Sequence, residues 1–224
     1  MTITRRNILG LFAAGSATAL AGCGGGGDGY DDAPTRFVRV LNLNPEFPSV
    51  DVAIDATVVV TNVPFEALTP AIELVFGTYS IGLRDRASAR VLYFDGFGVD
   101  DRSPSLEVFY RKGASARLGP SPLGIVNYFD SSESLVAELS DASGNTQTSV
   151  LAFEASAPQV SQSLNCRLRL RRASDNVLVY DSGSRQRTDA ILIYPADASS
   201  GLVRAMGVNH TYSTASAVVW PNIL

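Results

Sequence analysis

Few side chains in this sequence have the types and spacing that enzyme or cofactor chemistry requires. His210 is the only histidine, and no Gly-x-Ser-x-Gly segment is present to hold a nucleophilic serine. Zinc, haem and iron–sulfur sites need several histidine or cysteine ligands, but beyond the N-terminus the chain has only Cys166 and His210. Gly96-Phe97-Gly98 lacks the lysine of a phosphate-binding loop. We therefore expect no cofactor and no metal, and we expect His210 to lie in a surface turn.

Carboxylates are the reactive groups that the sequence does bring close together, and two acids are enough to hydrolyse a glycosidic bond. Four of them lie in one short segment: Asp95, Asp100, Asp101 and Glu107. Asp100 and Asp101 precede Arg102 and a Ser-Pro pair, a composition that is typical of a turn. We expect a protein that is not an enzyme, with a carboxylate-dependent glycan hydrolase as the alternative.

Aromatic side chains that could stack on a sugar are also present. The candidates are Tyr128, Phe129, Tyr212 and Trp220. Aromatic residues of β-sandwiches more often pack in the core, so we expect these four to be mainly structural.

The first 22 residues have the composition of a signal peptide. Arg5 and Arg6 precede an apolar run over residues 8–20, which is too short to span a bilayer and ends in small residues. The next residues resemble the lipobox cleaved by the lipoprotein signal peptidase: Leu20, Ala21, Gly22 and Cys23. We expect Cys23 to become the lipid-bearing first residue of the mature chain. Ordinary cleavage near Ala21, beside a chance cysteine, is the alternative.

The segment around the twin arginines also bears on the export route and destination. Residues 4–9 resemble a twin-arginine signal, with Ile8 where phenylalanine is more usual, and a general secretion signal is the alternative. Gly24 stands where an aspartate commonly signals retention in the inner membrane, so we expect the outer membrane. Residues 23–34 predict a flexible glycine-rich tether. Its acids do not have the spacing of an EF-hand calcium loop: Asp28, Asp31 and Asp32.

Charge and cysteine content set two further limits. The formal net charge of −4 becomes −6 when residues 1–22, with two arginines and no acid, are removed. Nucleic-acid binding needs a basic footprint, so no nucleic-acid partner is expected. Only two cysteines are present, and if Cys23 carries lipid, Cys166 has no disulfide partner.

From residue 35 onward, short alternating runs separated by turn residues indicate an all-β sandwich class. The chain also repeats itself. Residues 63–70 match 151–158, residues 87–95 match 173–181, residues 106–110 match 190–194, and residues 40–42 match 125–127. These matches predict two tandem sandwiches over residues 35–118 and 119–224. Residues 202–220 resemble the opening strand pair of a partial third copy.

The residues of the first copy resemble a bacterial family. The matching positions are Arg39-Val40-Leu41-Asn42, Pro45, Pro48, Val50-Asp51-Val52, Asn62-Val63-Pro64-Phe65 and Gly77-Thr78-Tyr79. They are similar to the domain-of-unknown-function family numbered 4397, over residues 36–110. The resemblance implies an exported, often lipid-anchored protein with tandem immunoglobulin-like or transthyretin-like sandwiches. The second copy departs from it at Ser131, Ser132 and Ser134, and the family supplies no catalytic residue.

One predicted strand separates apolar from charged side chains, because strand residues alternate between faces. Cys166, Leu168 and Leu170 are expected to point inward, as Tyr79, Ile81 and Leu83 do in the first copy. The opposite face carries the arginine strip: Arg167, Arg169, Arg171 and Arg172. We expect a charged face neutralised by neighbouring acids such as Asp175 or Asp181. Guanidinium groups also bind carboxylate and phosphate bidentately, so the sharper hypothesis is a site for an anionic glycan or lipid head group.

Together these patterns predict a non-enzymatic binding or scaffolding module. Its expected partners are the membrane, through the N-terminal lipid, and an anionic glycan, a lipid head group or another envelope protein.

Overall fold

The computed structural model describes residues 34–100, 106–111, 113–118, 124–129, 133–159, 164–209 and 216–224. Every regular element in these ranges is a β-strand, so the predicted all-β fold class is confirmed. Within the same ranges no helix is long and apolar enough to cross a membrane.

Nineteen strands are formed by the described residues. The first nine are β1 (Thr35–Asn42), β2 (Ser49–Ile54), β3 (Thr57–Pro64), β4 (Ala67–Leu68), β5 (Ile72–Val75), β6 (Gly77–Asp85), β7 (Val91–Val99), β8 (Leu106–Arg111) and β9 (Ala114–Leu118). The next ten are β10 (Gly124–Asn127), β11 (Leu135–Asp141), β12 (Thr146–Leu151), β13 (Ser156–Ala157), β14 (Asn165–Arg172), β15 (Leu178–Asp181), β16 (Arg185–Gln186), β17 (Ala190–Pro195), β18 (Val203–Asn209) and β19 (Ser216–Trp220).

The strands form two units with corresponding sheets. In the first unit the front sheet has the order β3-β2-β6-β7, and the back sheet has the order β4-β1-β8-β9, with β5 also paired to β1. In the second unit the front sheet is β12-β11-β14-β15, with β16 also paired to β14, and the back sheet is β13-β10-β17-β18-β19. The opening strand of each unit runs parallel to the same partner, β1 to β8 and β10 to β17. The repeat seen in the sequence is therefore also a repeat of strand pairing.

The buried apolar side chains of the described residues form three clusters. One lies between the two sheets of each unit, and the third, which we call the inter-unit cluster, joins the two back sheets. Strand alternation separates them. In β17, Ile191 and Ile193 face the core of the second unit, whereas Leu192 and Tyr194 face the inter-unit cluster. The four sheets therefore stack in the order front, back, back, front.

A buried asparagine fixes the end of each opening strand. Asn42 Nδ2 donates to the backbone oxygens of Phe47 and Val63, at 3.2 and 3.3 Å. In the second unit Asn127 Nδ2 donates to the backbone oxygens of Leu151 and Ala152, at 3.2 and 3.1 Å. Both side chains are fully buried, and a buried amide must find such partners. This shared role explains why the two sequence copies match here.

The segment over residues 202–220 has a different place from the one that the sequence suggested. Strands β18 and β19 are adjacent in the second back sheet, whereas the opening strands β1 and β2 lie in different sheets. Strand β18 occupies the position that β9 has in the first unit, antiparallel to its neighbour. The segment thus completes the second unit and covers the edge of its back sheet.

The predicted faces of β14 are confirmed. Cys166, Leu168 and Leu170 are buried in the core of the second unit. Their counterparts Tyr79 and Ile81, with Leu83, are buried in the core of the first.

Gly207 of β18 gives a test of this packing. A Cβ added there would lie 2.7 Å from both Trp220 Nε1 and Thr188 Cγ2. Overpacking of this kind costs about 1–3 kcal/mol, so Gly207→Ala should lower the free energy of unfolding by that amount in urea denaturation. Gly98→Ala is the control, because a Cβ at Gly98 meets nothing within 4 Å. Equal effects of the two substitutions would contradict the packing described for Trp220.

Cys166 gives a second test. Burial raises the pKa of its thiol, and the reactive species is the thiolate. In a Cys23→Ser chain, where Cys166 is the only cysteine, we expect a thiol reagent to label the folded protein slowly and the urea-unfolded protein rapidly. Rapid labelling in native buffer would show that Cys166 is accessible.

Candidate functional site

The two units exchange tyrosine–glutamate hydrogen bonds in both directions. Tyr110 at the end of β8 donates its hydroxyl to Glu154 of the second unit at 2.7 Å. Tyr194 at the end of β17 donates to Glu66 of the first unit at 2.9 Å. Glu66 and Glu154 occupy equivalent left-handed turn positions, with φ of 64° and 62°. Reciprocal contacts of this kind indicate an approximate twofold relation between the units.

Further contacts repeat the same symmetry. Phe153 packs edge-on to the ring of Tyr110, with centroids 6.1 Å apart, and Phe65 packs in the same way on Tyr194, also at 6.1 Å. Each glutamate is also paired with an arginine of the other unit, but from non-equivalent strands: Glu154 with Arg111 of β8, and Glu66 with Arg204 of β18. Burial, with the nearby Glu154 carboxylate, raises the pKa of Tyr110 to about 12. The hydroxyl is therefore a permanent donor at neutral pH.

On one side of this interface a groove is open, which we call the β9 groove. It has a volume of about 260 Å³ and is lined by Tyr110, Ala116, Leu118, Val126, Tyr128, Glu154 and Ser156. Tyr110 and Tyr128 stack along its wall, with ring centroids 4.5 Å apart and planes 17° apart. Strand β9 is the last strand of its sheet among the described residues. Among the described residues, the groove therefore combines an apolar floor, one carboxylate and a strand edge that no other strand pairs with.

The equivalent position on the other side of the interface is filled by β19. Ala217 and Val219 of this strand pack on the inter-unit cluster. The residues beneath them, Tyr194 and Val208, are both 0% exposed, whereas their counterparts in the β9 groove, Tyr110 and Leu118, are 7% and 5% exposed. The duplication thus leaves one of two equivalent strand positions empty in the described residues.

A polar cluster lies at the same edge of the first unit, on the opposite face of β9. Glu107 is buried, accepts from the Ser115 hydroxyl, and receives Arg117 Nε at 3.0 Å. The same guanidinium donates to Asp95 at 2.6 Å and lies 5.5 Å from the centroid of the Phe97 ring. Burial raises the pKa of Glu107, and the hydrogen bonds from Ser115 and Arg117 oppose that shift. Two of the acids proposed for glycan hydrolysis are thus joined through one arginine.

The arginine strip lies on β14, and each of its guanidinium groups has a carboxylate within 4 Å. Arg167 binds Asp181, and Arg169 lies 3.4 Å from both Asp181 and Glu138. Arg171 lies 3.9 Å from Glu138. At the end of the strand, Arg172 binds Asp175 at 2.6 Å. Four guanidinium groups thus share three carboxylates, which offset most of the positive charge of the strip.

The remaining sequence candidates divide into two groups. Those outside the described residues are Arg5, Arg6, Leu20, Ala21, Gly22, Cys23, Asp101, His210 and Tyr212. Of the others, Asp100 is exposed, Phe129 is half-buried, and Trp220 is buried in the second core. Within the described ranges, no group of three or more His, Cys, Asp or Glu residues could hold a metal ion.

The sequence repeats contain the residues of the interface but do not indicate that these residues form one. Tyr110, Tyr194, Glu66 and Glu154 all lie in the matched segments, yet a match between copies does not show that the copies touch. The continuous apolar run of residues 190–194 was the available signal, because a strand with both faces buried has no polar alternation.

Comparison with known proteins adds no assignment. No family model matches the chain, and no curated protein matches it.

Asp181 gives a test of the strip. Its carboxylate is 5% exposed, and the hydrogen bond from Arg167 lowers its pKa to about 2. Because this pKa lies below the unfolded value of about 3.9, the carboxylate stabilises the fold above pH 4 and loses that effect as the pH falls towards 2. Asp181→Asn should therefore destabilise the protein by about 1–3 kcal/mol at pH 7 and flatten the fall in stability between pH 4 and 2.

The matched control is Asp175→Asn, at an ion pair whose side chains are 46% and 43% exposed. Exposed pairs contribute about 0–1 kcal/mol, so this variant should change urea stability little at any pH. Similar losses in both variants would show that Asp181 is not the acid that holds the strip.

Proposed function

We propose that this chain is an exported lipoprotein that binds or scaffolds another component of the cell envelope and catalyses no reaction. The signal-peptide pattern, the lipobox and the glycine-rich tether support export and attachment to a membrane. Lipid on Cys23 would hold the folded body near the membrane, and two or more acyl chains are enough for stable attachment. We propose the outer membrane, because Gly24 replaces the aspartate of inner-membrane retention.

The observation that best supports a binding role is the joined pair of units. Their back sheets share a buried apolar cluster, so the two sandwiches present a fixed surface rather than two bodies on a linker. On this surface one strand position is filled by β19 and its equivalent, the β9 groove, is open. A preformed concave site with convergent aromatic and carboxylate groups is typical of a recognition site.

The alternative, a carboxylate-dependent glycan hydrolase, has weaker support. Such an enzyme needs one acid that can give up a proton and one free carboxylate, on opposite sides of the scissile bond. Asp95 and Glu107 instead both bind the guanidinium of Arg117, so neither is a free carboxylate. We also propose membership of the domain-of-unknown-function family numbered 4397, on the residues of the first copy; this membership is still a prediction.

The predicted export and lipid attachment can be tested at Cys23. Mass spectrometry of the N-terminal peptide from membranes should show residues 1–22 removed and acyl groups on Cys23. Cys23→Ala should leave the protein unprocessed or release it into the soluble fraction, because no lipid can then be attached. Cys166→Ala is the matched control and should stay in the membrane fraction. An unlipidated Cys23 in the wild-type chain would overturn the proposed anchor.

A further inference from the structure

We infer that the β9 groove binds an extended peptide strand of a partner protein, which pairs antiparallel with β9 as β19 pairs with β18. This inference rests on the binding role proposed above and names the class of partner. An exposed strand edge offers unpaired backbone donors and acceptors, and an added strand can satisfy them while pockets beside the edge select alternate side chains.

The duplication supplies the first argument. Ala116 and Leu118 of β9 are the counterparts of Met206 and Val208 of β18. The first two pair with β8 at the positions where the second two pair with the equivalent strand, β17. Met206 lies opposite Val219, and Val208 opposite Ala217, so β19 places small apolar side chains on the inter-unit cluster. The same fold in the first unit leaves that space open as the β9 groove.

The register predicts the pattern of the partner. Residues opposite Ala116 and Leu118 should be small or medium-sized and apolar, because they enter the groove beside Tyr110 and Tyr128. The side chain opposite Ser115 should point to the other face, as Trp220 does opposite Ala205. Alternate side chains of the partner strand would therefore contact two different surfaces, the β9 groove and the opposite face of β9.

Arg117 determines what the second surface accepts. Its counterpart is Gly207, which has no side chain and lies under the ring of Trp220. In the first unit the Arg117 guanidinium lies over Phe97 and bridges Asp95 and Glu107. A tryptophan opposite Ser115 would collide with the Arg117 guanidinium, whereas a small polar side chain there would not disturb its ion pairs. The edge thus discriminates against β19 of a second copy.

The test uses the mature chain and three seven-residue peptides with blocked ends. The tryptophan peptide has the sequence of residues 215–221, the serine peptide has serine in place of Trp220, and the proline peptide also has proline in place of Val218 and Val219. Binding is followed by amide chemical shifts in two-dimensional NMR titrations. The serine peptide should give saturable shifts centred on β9 and bind about tenfold more tightly than the other two.

Two variants separate the groove from non-specific binding. Ala116→Arg places a long charged side chain in the groove and should weaken the serine peptide about tenfold. Val150→Arg, on the edge strand β12, where Val150 is 66% exposed, is the matched control and should leave binding unchanged. Glu107→Ile with Arg117→Gly copies the second unit and should make the tryptophan peptide the tighter ligand.

The outcomes decide between occupants. Tighter binding of the tryptophan peptide by the wild-type chain would overturn the inference in favour of a second copy's β19. If β9 shows no saturable shifts, or if the proline peptide binds as tightly as the serine peptide, the inference that β9 pairs with an added strand is wrong. Circular dichroism checks the fold of each variant. If a variant does not fold, the relative affinities of the three peptides for the wild-type chain still test the inference. Lipidation of Cys23 is measured separately, so failure of the anchor and failure of the groove give different results.

Discussion

Burial of both faces of the two back sheets is the constraint on which the rest of the structure depends. In a single β-sandwich the outer face of each sheet meets water, and its residues alternate between apolar and polar. Here β17 is buried on both faces, with Ile191 and Ile193 in one core and Leu192 and Tyr194 in the next. Each fully buried side chain of this size contributes about 1.5–3 kcal/mol, so separating the units would expose many such contributions at once. The exchanged Tyr–Glu hydrogen bonds add directional contacts between the same two surfaces.

The same duplication meets the problem of an exposed sheet edge in two ways. The second unit covers β18 with an additional strand and fills the gap between its sheets with Trp220, over a glycine. The first unit has Arg117 at the position of Gly207, and the guanidinium closes the gap by binding Glu107 and Asp95. An inward charge on an edge strand disfavours indiscriminate pairing, because any added strand must accommodate it. Since this charge is already paired, a suitable strand can be added without burying an unsatisfied ion.

Alternation and repetition made much of this fold predictable. The faces of β14 followed from period two alone, and the paired matches gave equivalent strands in both units. The direction of each strand and the strands it pairs with could not be predicted from these patterns. The resemblance of residues 207–209 to residues 125–127 rests on a shared Val-Asn pair, which does not specify that β18 is antiparallel to β17 while β10 is parallel to it. For the same reason Asp181 was identified as a neutralising acid but Glu138 was not. Glu138 lies on β11, whose register against β14 is set by tertiary pairing rather than by local sequence.

The distribution of charge explains why recognition at the groove would depend on backbone and shape. On the arginine strip four guanidinium groups share three carboxylates within 4 Å, so an anionic ligand would compete with existing partners. Such exchange gains little, because the energy of the new pair is offset by loss of the old one. No described residue competes in this way on the apolar floor of the β9 groove, and its carboxylate, Glu154, is already oriented by Tyr110 and Arg111. Of the two surfaces, the groove therefore has more binding energy to gain from a partner, although the strip carries more charge.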